Sequence, residues 1–152
     1  MKMNKKEFTD FVESIDSHIN FLISILNDNG FEGENIRDFD NRINDIQEFY
    51  ETKYFIYDEI VQNKLRLSFW AFFAKLLTEK LGGELRIAPK SDYCEGTPQL
   101  INFGNKFDKK GKRKWIGIGF DSWFNGIIEK KLLGTLEGTV EHVLQYYTPP
   151  LA

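Results

Sequence analysis

The sequence predicts an α+β fold in which N-terminal helices pack on a small antiparallel sheet and a C-terminal helix ends the chain. Apolar residues recur at intervals of three and four through the first half, as on one face of a helix. From Gly83 the pattern changes to short runs that alternate with period two. A helical pattern that Thr135 can cap then returns. The length of 152 residues fits a single domain over 1–152.

The first half is predicted to contain three helical regions. Residues 5–28 carry one apolar face and stop at an Asn-Gly pair, where glycine suits the left-handed backbone of a helix end. A second region begins after the capping residue Asn35, and it either runs on to about residue 62 or breaks near Thr52. A third, with Ser68 as its N-cap, is apolar nearly all round in its first half, which is typical of a central helix.

Three strands are predicted in the second half, at 83–89, 97–104 and 114–120, with a charged hairpin loop before the third. Residues 122–133 allow two interpretations. An Asn-Gly turn leading to a fourth strand is favoured, and a helix capped by Asp121 is the alternative.

Composition excludes several classes of protein. A hydrophobic fraction of 41% is too high for a disordered chain. Acidic residues interrupt the N-terminal helix where a signal peptide would be apolar, and no run is long enough to span a membrane, so a cytoplasmic location is expected. One cysteine and two histidines are too few for a disulfide or a typical metal centre. We therefore expect no cofactor and no metal.

Charge is unevenly distributed along the chain. Residues 1–63 contain 6 basic and 14 acidic residues, whereas residues 64–152 contain 14 basic and 9 acidic ones. The favoured interpretation is that the two halves complement each other within one fold. The alternative is an acidic face that docks a basic partner.

The stretch KWIGIGFDSW, residues 114–123, excludes two familiar motifs. The dinucleotide fingerprint needs a third glycine where Ser122 stands, and the nucleophile elbow needs glycines on both sides of its serine. Gly117 and Gly119 also lie on the strand face opposite Ile118. Small residues on one strand face predict that another chain segment packs closely there.

Two alternative functions remain open from the residues. Cys94, Ser122 and His142 are candidates for the site of a small-molecule enzyme or ligand sensor, although the acids beside Cys94 are expected to raise the pKa of its thiol. The basic run 109–114 next to Trp115 would suit a nucleic-acid-associated protein that uses the hairpin 109–115. An overall pI of about 5.5 argues against nucleic acid.

The layout as a whole resembles the small immunity proteins of bacterial polymorphic toxin systems. The likeness lies in the helical first half, the short strands GGELRIAP, GTPQLINFG and KWIGIGFDSW, and the final helix. It implies a protein that binds and neutralises one toxin and has no chemistry of its own. The leading hypothesis is thus a non-enzymatic protein-binding domain with a basic protein partner. No catalytic residue is assigned, and the expected partner contacts are acidic and aromatic: Asp38, Asp45, Glu48, Trp115 and Trp123.

Overall fold

A computed structural model describes residues 1–104, 110 and 117–147, and within them it confirms the predicted α+β fold. Helices and strands follow one another in the expected order. The α-helices are α1 (Lys5–Glu13), α2 (Ile15–Asp28), α3 (Ile43–Lys53), α4 (Glu59–Leu81), α5 (Phe120–Ile128) and α6 (Leu136–Tyr147). The strands are β1 (Glu84–Ile87), β2 (Pro98–Ile101) and β3 (Ile118–Gly119), and short 3-10 helices cover Ile36–Asp38 and Tyr54–Ile56.

The first predicted helix is divided in two at Ser14. Asn4 and Glu7 form a capping box that starts α1. At Ser14 the backbone leaves the helical region, with φ −106° and ψ 12°. This break lets α1 contact β1 while α2 packs along α4. The predicted end is confirmed, because α2 stops at Asp28 and Gly30 follows with φ +85°.

The second predicted region starts later than expected, because only the 3-10 turn Ile36–Asp38 follows Asn35 and α3 begins at Ile43. It breaks close to the expected place, after Lys53. A 3-10 turn follows, and Asp58 then caps α4 by accepting a hydrogen bond from Val61 N at 2.9 Å. The predicted N-cap at Ser68 is therefore wrong. Ser68 lies buried inside α4, where its Oγ donates to Lys64 O at 2.7 Å. That bond satisfies the hydroxyl within the helix, so the serine does not end it.

Helix α4 is central, as its apolar sequence predicted. It contacts α2, α5, α6 and β2. Ten of its side chains are buried, on nearly all sides of the helix in its middle: Leu65, Ser68, Phe69, Trp70, Ala71, Phe72, Phe73, Ala74, Leu76 and Leu77. Burial all round follows from the absence of a polar face in this stretch. The other elements are thus arranged about α4.

The sheet is antiparallel in the order β1-β2-β3. Leu100 pairs with Leu85 on one side and with Ile118 on the other. Leu100 and Ile118 belong to the main hydrophobic core. Gln99, one residue earlier, pairs with Gly119 and must point to the opposite face of the sheet. The segment 88–97 lies against that second face.

The strand favoured over residues 122–133 is wrong, because residues 120–128 form helix α5. Phe120, Trp123, Phe124 and Ile127 follow at helical spacing and are all buried. The Asn-Gly pair lies inside the helix, so burial of this apolar face has overridden the local turn signal. Asp121 does not cap α5, whose N-cap residue is a glycine.

The last helix begins as predicted. Thr135 Oγ accepts a hydrogen bond from Gly138 N at 3.0 Å, which is the expected capping contact. A second bond, from Leu136 N to Gln47 Oε1 at 2.8 Å, ties the start of α6 to α3. Across the residues described, no helix has the length and apolar character needed to cross a membrane.

Candidate functional site

The glycines that precede α5 allow close packing, as the sequence predicted. A Cβ added at Gly119 would lie 2.5 Å from Cys94 Sγ, and one added at Gly117 would overlap the side chain of Gln99. The phenol of Tyr93 also joins this contact, because it accepts from Gly119 N and donates to Gly117 O, both at 3.3 Å. The segment 88–97 is thereby fixed against β3.

Gln99 is the polar centre of this second face of the sheet. Its side chain is fully buried, and it accepts from Arg86 Nε at 2.9 Å and donates to Asp92 Oδ2 at 2.7 Å. The same amide lies 3.8 Å from Cys94 Sγ. A buried amide with partners at both ends is satisfied, so this cluster holds the loop in place.

The surroundings of Cys94 do not activate its thiol. Burial raises the pKa of its thiol, and the charge of Asp92 raises it further. The sequence pointed to the acids as the cause, whereas desolvation is the larger one. Ser122 lies exposed on α5 and His142 exposed on α6. No hydrogen bond between described residues joins any two of Cys94, Ser122 and His142.

Asp121 is the most heavily bonded charged group in this region. Its carboxylate accepts two hydrogen bonds from Arg66, at 2.8 and 2.6 Å, and one from Trp70 Nε1 at 3.0 Å. Asn125 Nδ2 adds a fourth at 3.3 Å. Arg66 also lies over the ring of Phe124, with 5.1 Å from Cζ to the centroid. The carboxylate therefore fastens α5 to α4, whereas only a capping role was predicted for it.

A pocket of about 470 Å³ opens between β3, α5 and α6. We call it the α6 pocket. Its described walls combine aromatic, aliphatic and small polar residues: Tyr93, Gly117, Ile118, Trp123, Leu133, Gly134, Thr135, Gly138, Thr139, His142 and Val143. Among the candidates named from the sequence, it includes His142 and Trp123 but neither Cys94 nor Ser122.

A second pocket, of about 460 Å³, lies beside α1, and His18 is the histidine in its wall. The imidazole stacks on Phe11, with 5.8 Å between ring centroids. Burial lowers the pKa of His18 below its ordinary value of 6.5. The imidazole is therefore held in its neutral form over a wider pH range in the folded protein than in the unfolded chain.

The lowered pKa predicts how stability depends on pH. As the pH falls through 6.5, the unfolded chain takes up a proton at His18 before the folded protein does, so this residue lowers the free energy of unfolding. We expect His18→Gln to make the loss of stability between pH 7 and about 5.5 shallower. Urea unfolding at several pH values measures the slope. An unchanged slope in the variant would contradict the assignment to His18.

The partner contacts expected from the sequence lie in different places. Asp38 completes the capping box of its own 3-10 turn by accepting from Asn35 N at 3.2 Å, and Asp45 pairs with Arg42 at 2.9 Å. Glu48 is exposed on α3. Trp123 is only 9% exposed and offers little surface to a macromolecule. Trp115 and the hairpin 109–115, apart from residue 110, lie outside the described residues.

An exposed apolar surface lies at the turn between α3 and α4, and Glu48 is on the helix that leads into this turn. Phe55, Ile56 and Ile60 are 65%, 70% and 69% exposed. Glu48 is exposed on α3, five residues before that helix ends at Lys53. Glu59 is exposed beside Ile60. We call these five residues the acidic corner.

The acidic corner was missed from the sequence, although a signal was present. The helical periodicity predicted for this region continues from Tyr50 through Tyr54, Tyr57, Ile60 and Val61. Phe55 and Ile56 do not fall on the face that this periodicity defines. Two large apolar residues that are off the core-facing side of a helix are candidates for a surface contact.

Comparison with known proteins gave no significant match: no family model, no curated protein and no solved structure is similar to the chain. Within residues 1–104, 110 and 117–147, no group of three or more His, Cys, Asp or Glu residues is placed to hold a metal ion.

Proposed function

We propose that the protein is a non-enzymatic protein-binding domain that recognises a basic partner through the acidic corner. The observation that carries the proposal is the exposure of three large apolar side chains, Phe55, Ile56 and Ile60, at a single turn. Single exposed apolar residues are ordinary on a protein surface. Three within six consecutive residues, bordered by carboxylates, match the composition of an interaction site.

The arrangement fits the anatomy of protein interfaces. Such interfaces have an apolar centre, in which aromatic residues contribute most of the affinity, and a polar rim. Phe55 supplies the aromatic group here, and Glu48 and Glu59 supply carboxylates at the rim. Neither glutamate forms an ion pair with any residue that the structure describes. Their charges therefore remain available to a cationic partner.

The charge of the surrounding chain supports a basic partner. The corner lies within residues 1–63, which carry the excess of acids. A negative surface of this kind accelerates association with a positively charged protein and makes the rate sensitive to salt. We extend the proposal to an immunity-type inhibitor that neutralises a cognate toxin. Support for this step comes from the layout and acidity described for the sequence.

Site-specific photo-crosslinking tests the proposal in the native host. A photoreactive phenylalanine analogue at position 55 is expected to capture one protein repeatedly, and the same analogue at position 60 should capture it too. Val12, an exposed apolar residue on α1, provides the control position. Capture of the same protein at position 12, or of none at 55 and 60, would contradict binding through the corner.

The two alternative functions have no comparable support at the sets of residues that the sequence named for them. The enzyme or ligand-sensor hypothesis needed Cys94, Ser122 and His142 to meet, and no hydrogen bond between described residues joins them. The nucleic-acid hypothesis depends on the hairpin 109–115, of which the structure describes only Lys110.

A further inference from the structure

The α6 pocket combines an apolar wall with hydrogen-bond donors in a way that indicates a ligand. We propose that it binds a small monocarboxylate with an aromatic or branched apolar body. This site lies apart from the acidic corner and shares no residue with it. The proposal therefore stands whether or not the protein also binds a macromolecular partner.

The volume and the lining of the pocket determine which apolar group the ligand can carry. A volume of about 470 Å³ is at the lower end of the range for small-molecule sites. Ile118, Leu133 and Val143 provide aliphatic contacts, and Tyr93 and Trp123 provide rings. Leu133 is 95% exposed at the rim, so a bound apolar group would cover a side chain that now faces water.

Trp123 supplies the observation that points to an acceptor on the ligand. Trp123 is only 9% exposed, and Phe73 and Phe120 pack against its indole ring in edge-on geometry. Its Nε1–H has no hydrogen-bond acceptor among the residues that the structure describes. Trp70, by contrast, donates its Nε1–H to Asp121. A donor without an acceptor on a side chain of which nine-tenths is buried is costly, and a ligand oxygen at the pocket wall would satisfy it.

The other polar groups at the pocket favour an anionic acceptor over a neutral one. Thr135 Oγ already accepts from Gly138 N, so its remaining O–H is a donor. His142 adds an imidazole on the same side of α6. No Asp or Glu appears among the described residues of the wall, so no carboxylate there would repel the ligand. The N-terminus of the twelve-residue helix α6 adds its favourable dipole.

The helix contributes through its dipole more than through free amides. Leu136 N and Gly138 N are already bonded, to Gln47 and Thr135. Trp123 Nε1–H and the hydroxyl of Thr135 are thus the donors that would form hydrogen bonds to the carboxylate. A ligand of the same shape with a neutral amide in place of the carboxylate should bind more weakly, because charge-assisted hydrogen bonds are about twice as strong as neutral ones.

Calorimetric titration of the whole chain with 3-phenylpropanoate and with 3-phenylpropanamide tests the assignment. We expect saturable binding of the carboxylate and binding of the amide weaker by about tenfold. Trp123→Phe keeps a ring but removes the donor, and it should weaken carboxylate binding about tenfold while leaving amide binding less affected. Trp70→Phe is the matched control, since Trp70 lies outside the pocket.

A second pair of variants tests the location without removing any core residue. Gly138→Leu places a side chain in the pocket and also improves helix propensity, so the variant should fold and should lose binding of both probes. Gln145→Leu puts the same side chain at an exposed position of α6 outside the described lining, and it should bind like the wild type.

The results have clear opposite outcomes. Tighter binding of the carboxylate that is lost in Gly138→Leu and weakened in Trp123→Phe supports the proposal. Three results would each overturn it: equal affinity for the carboxylate and the amide, binding to the Gly138→Leu variant as tight as to the wild type, or no saturable binding of 3-phenylpropanoate up to about 10 mM.

Discussion

Replacement of Asp121 by alanine is expected to lower the free energy of unfolding by about 3–5 kcal/mol. Asp121 is 8% exposed and accepts hydrogen bonds from Arg66, Trp70 and Asn125. Without the carboxylate, the guanidinium of Arg66 stays largely buried with no opposite charge, and Trp70 Nε1–H loses its acceptor. A buried charge and a buried donor left without partners lower the free energy of unfolding by more than the intact ion pair raises it.

Urea unfolding measures the loss, and an exposed ion pair provides the control. Asp16 pairs with Lys75 at 2.5 Å, but its side chain is 76% exposed, so Asp16→Ala should change stability by no more than about 0.5 kcal/mol. The double variant Arg66→Met with Asp121→Leu removes both charges and should lose less than Asp121→Ala alone. Similar losses for Asp121→Ala and Asp16→Ala would contradict a buried ion pair that fastens α5.

Replacement of Phe55 by alanine is expected to weaken binding of the partner captured at the acidic corner by about 30-fold or more, the loss typical of an aromatic hot spot. The side chain is 65% exposed in the free protein and would be covered in the complex. Surface plasmon resonance with the purified partner measures the affinity. Because Phe55 is exposed, its replacement should leave the free energy of unfolding nearly unchanged.

Charge reversal at the rim distinguishes electrostatic attraction during association from direct contact within the complex. Glu48→Lys with Glu59→Lys should slow association and reduce its dependence on salt, while the dissociation rate changes less. Val12→Ala, on the exposed side of α1, should affect neither rate. An association rate that is insensitive to both salt and charge reversal would show that electrostatic attraction at this corner does not recruit the partner.

The sequence predicted those parts of the fold that depend on local periodicity and on chain terminators. The faces of the first helices, the glycine after α2 and the capping role of Thr135 are all local features, and the structure confirms them. The close approach of other side chains to Gly117 and Gly119 was also predicted, because small residues on one side of a strand usually leave room for another chain segment.

The errors arose where distant residues decide the local structure. The Asn-Gly pair in 122–133 is a turn signal, but Trp123, Phe124 and Ile127 gain more by burying one helical face against α4. Ser68 suggested a helix start because its hydroxyl can cap, whereas in the structure it bonds back to Lys64 inside α4. Neither outcome can be obtained from a short window of sequence.

The candidate sites were less predictable than the fold. Asp121 and Arg66 are 55 positions apart, so only the packing of α5 on α4 reveals their pairing. The exposure of Ile60 also depends on distant packing. Its spacing in the sequence predicted that it would share the face of Tyr54, but Tyr54 is buried and Ile60 is exposed. The preference for acidic residues of the first half as partner contacts remains a prediction, and Glu48 is the exposed one of them on the helix that leads to the apolar surface.

The aromatic contacts around Tyr50 have a consequence for the order of events during folding. Tyr50 packs edge-on against Phe69 and Phe124, with ring centroids 5.2 and 6.0 Å apart, and donates its hydroxyl to Leu65 O at 2.6 Å. The contact between α3 and α4 closes a short loop, whereas the contact with α5 closes a much longer one. Loop-closure entropy favours the shorter connection first. The contact of α3 with α4 through Tyr50 is thus expected to form early, and α5 is expected to dock later on these rings.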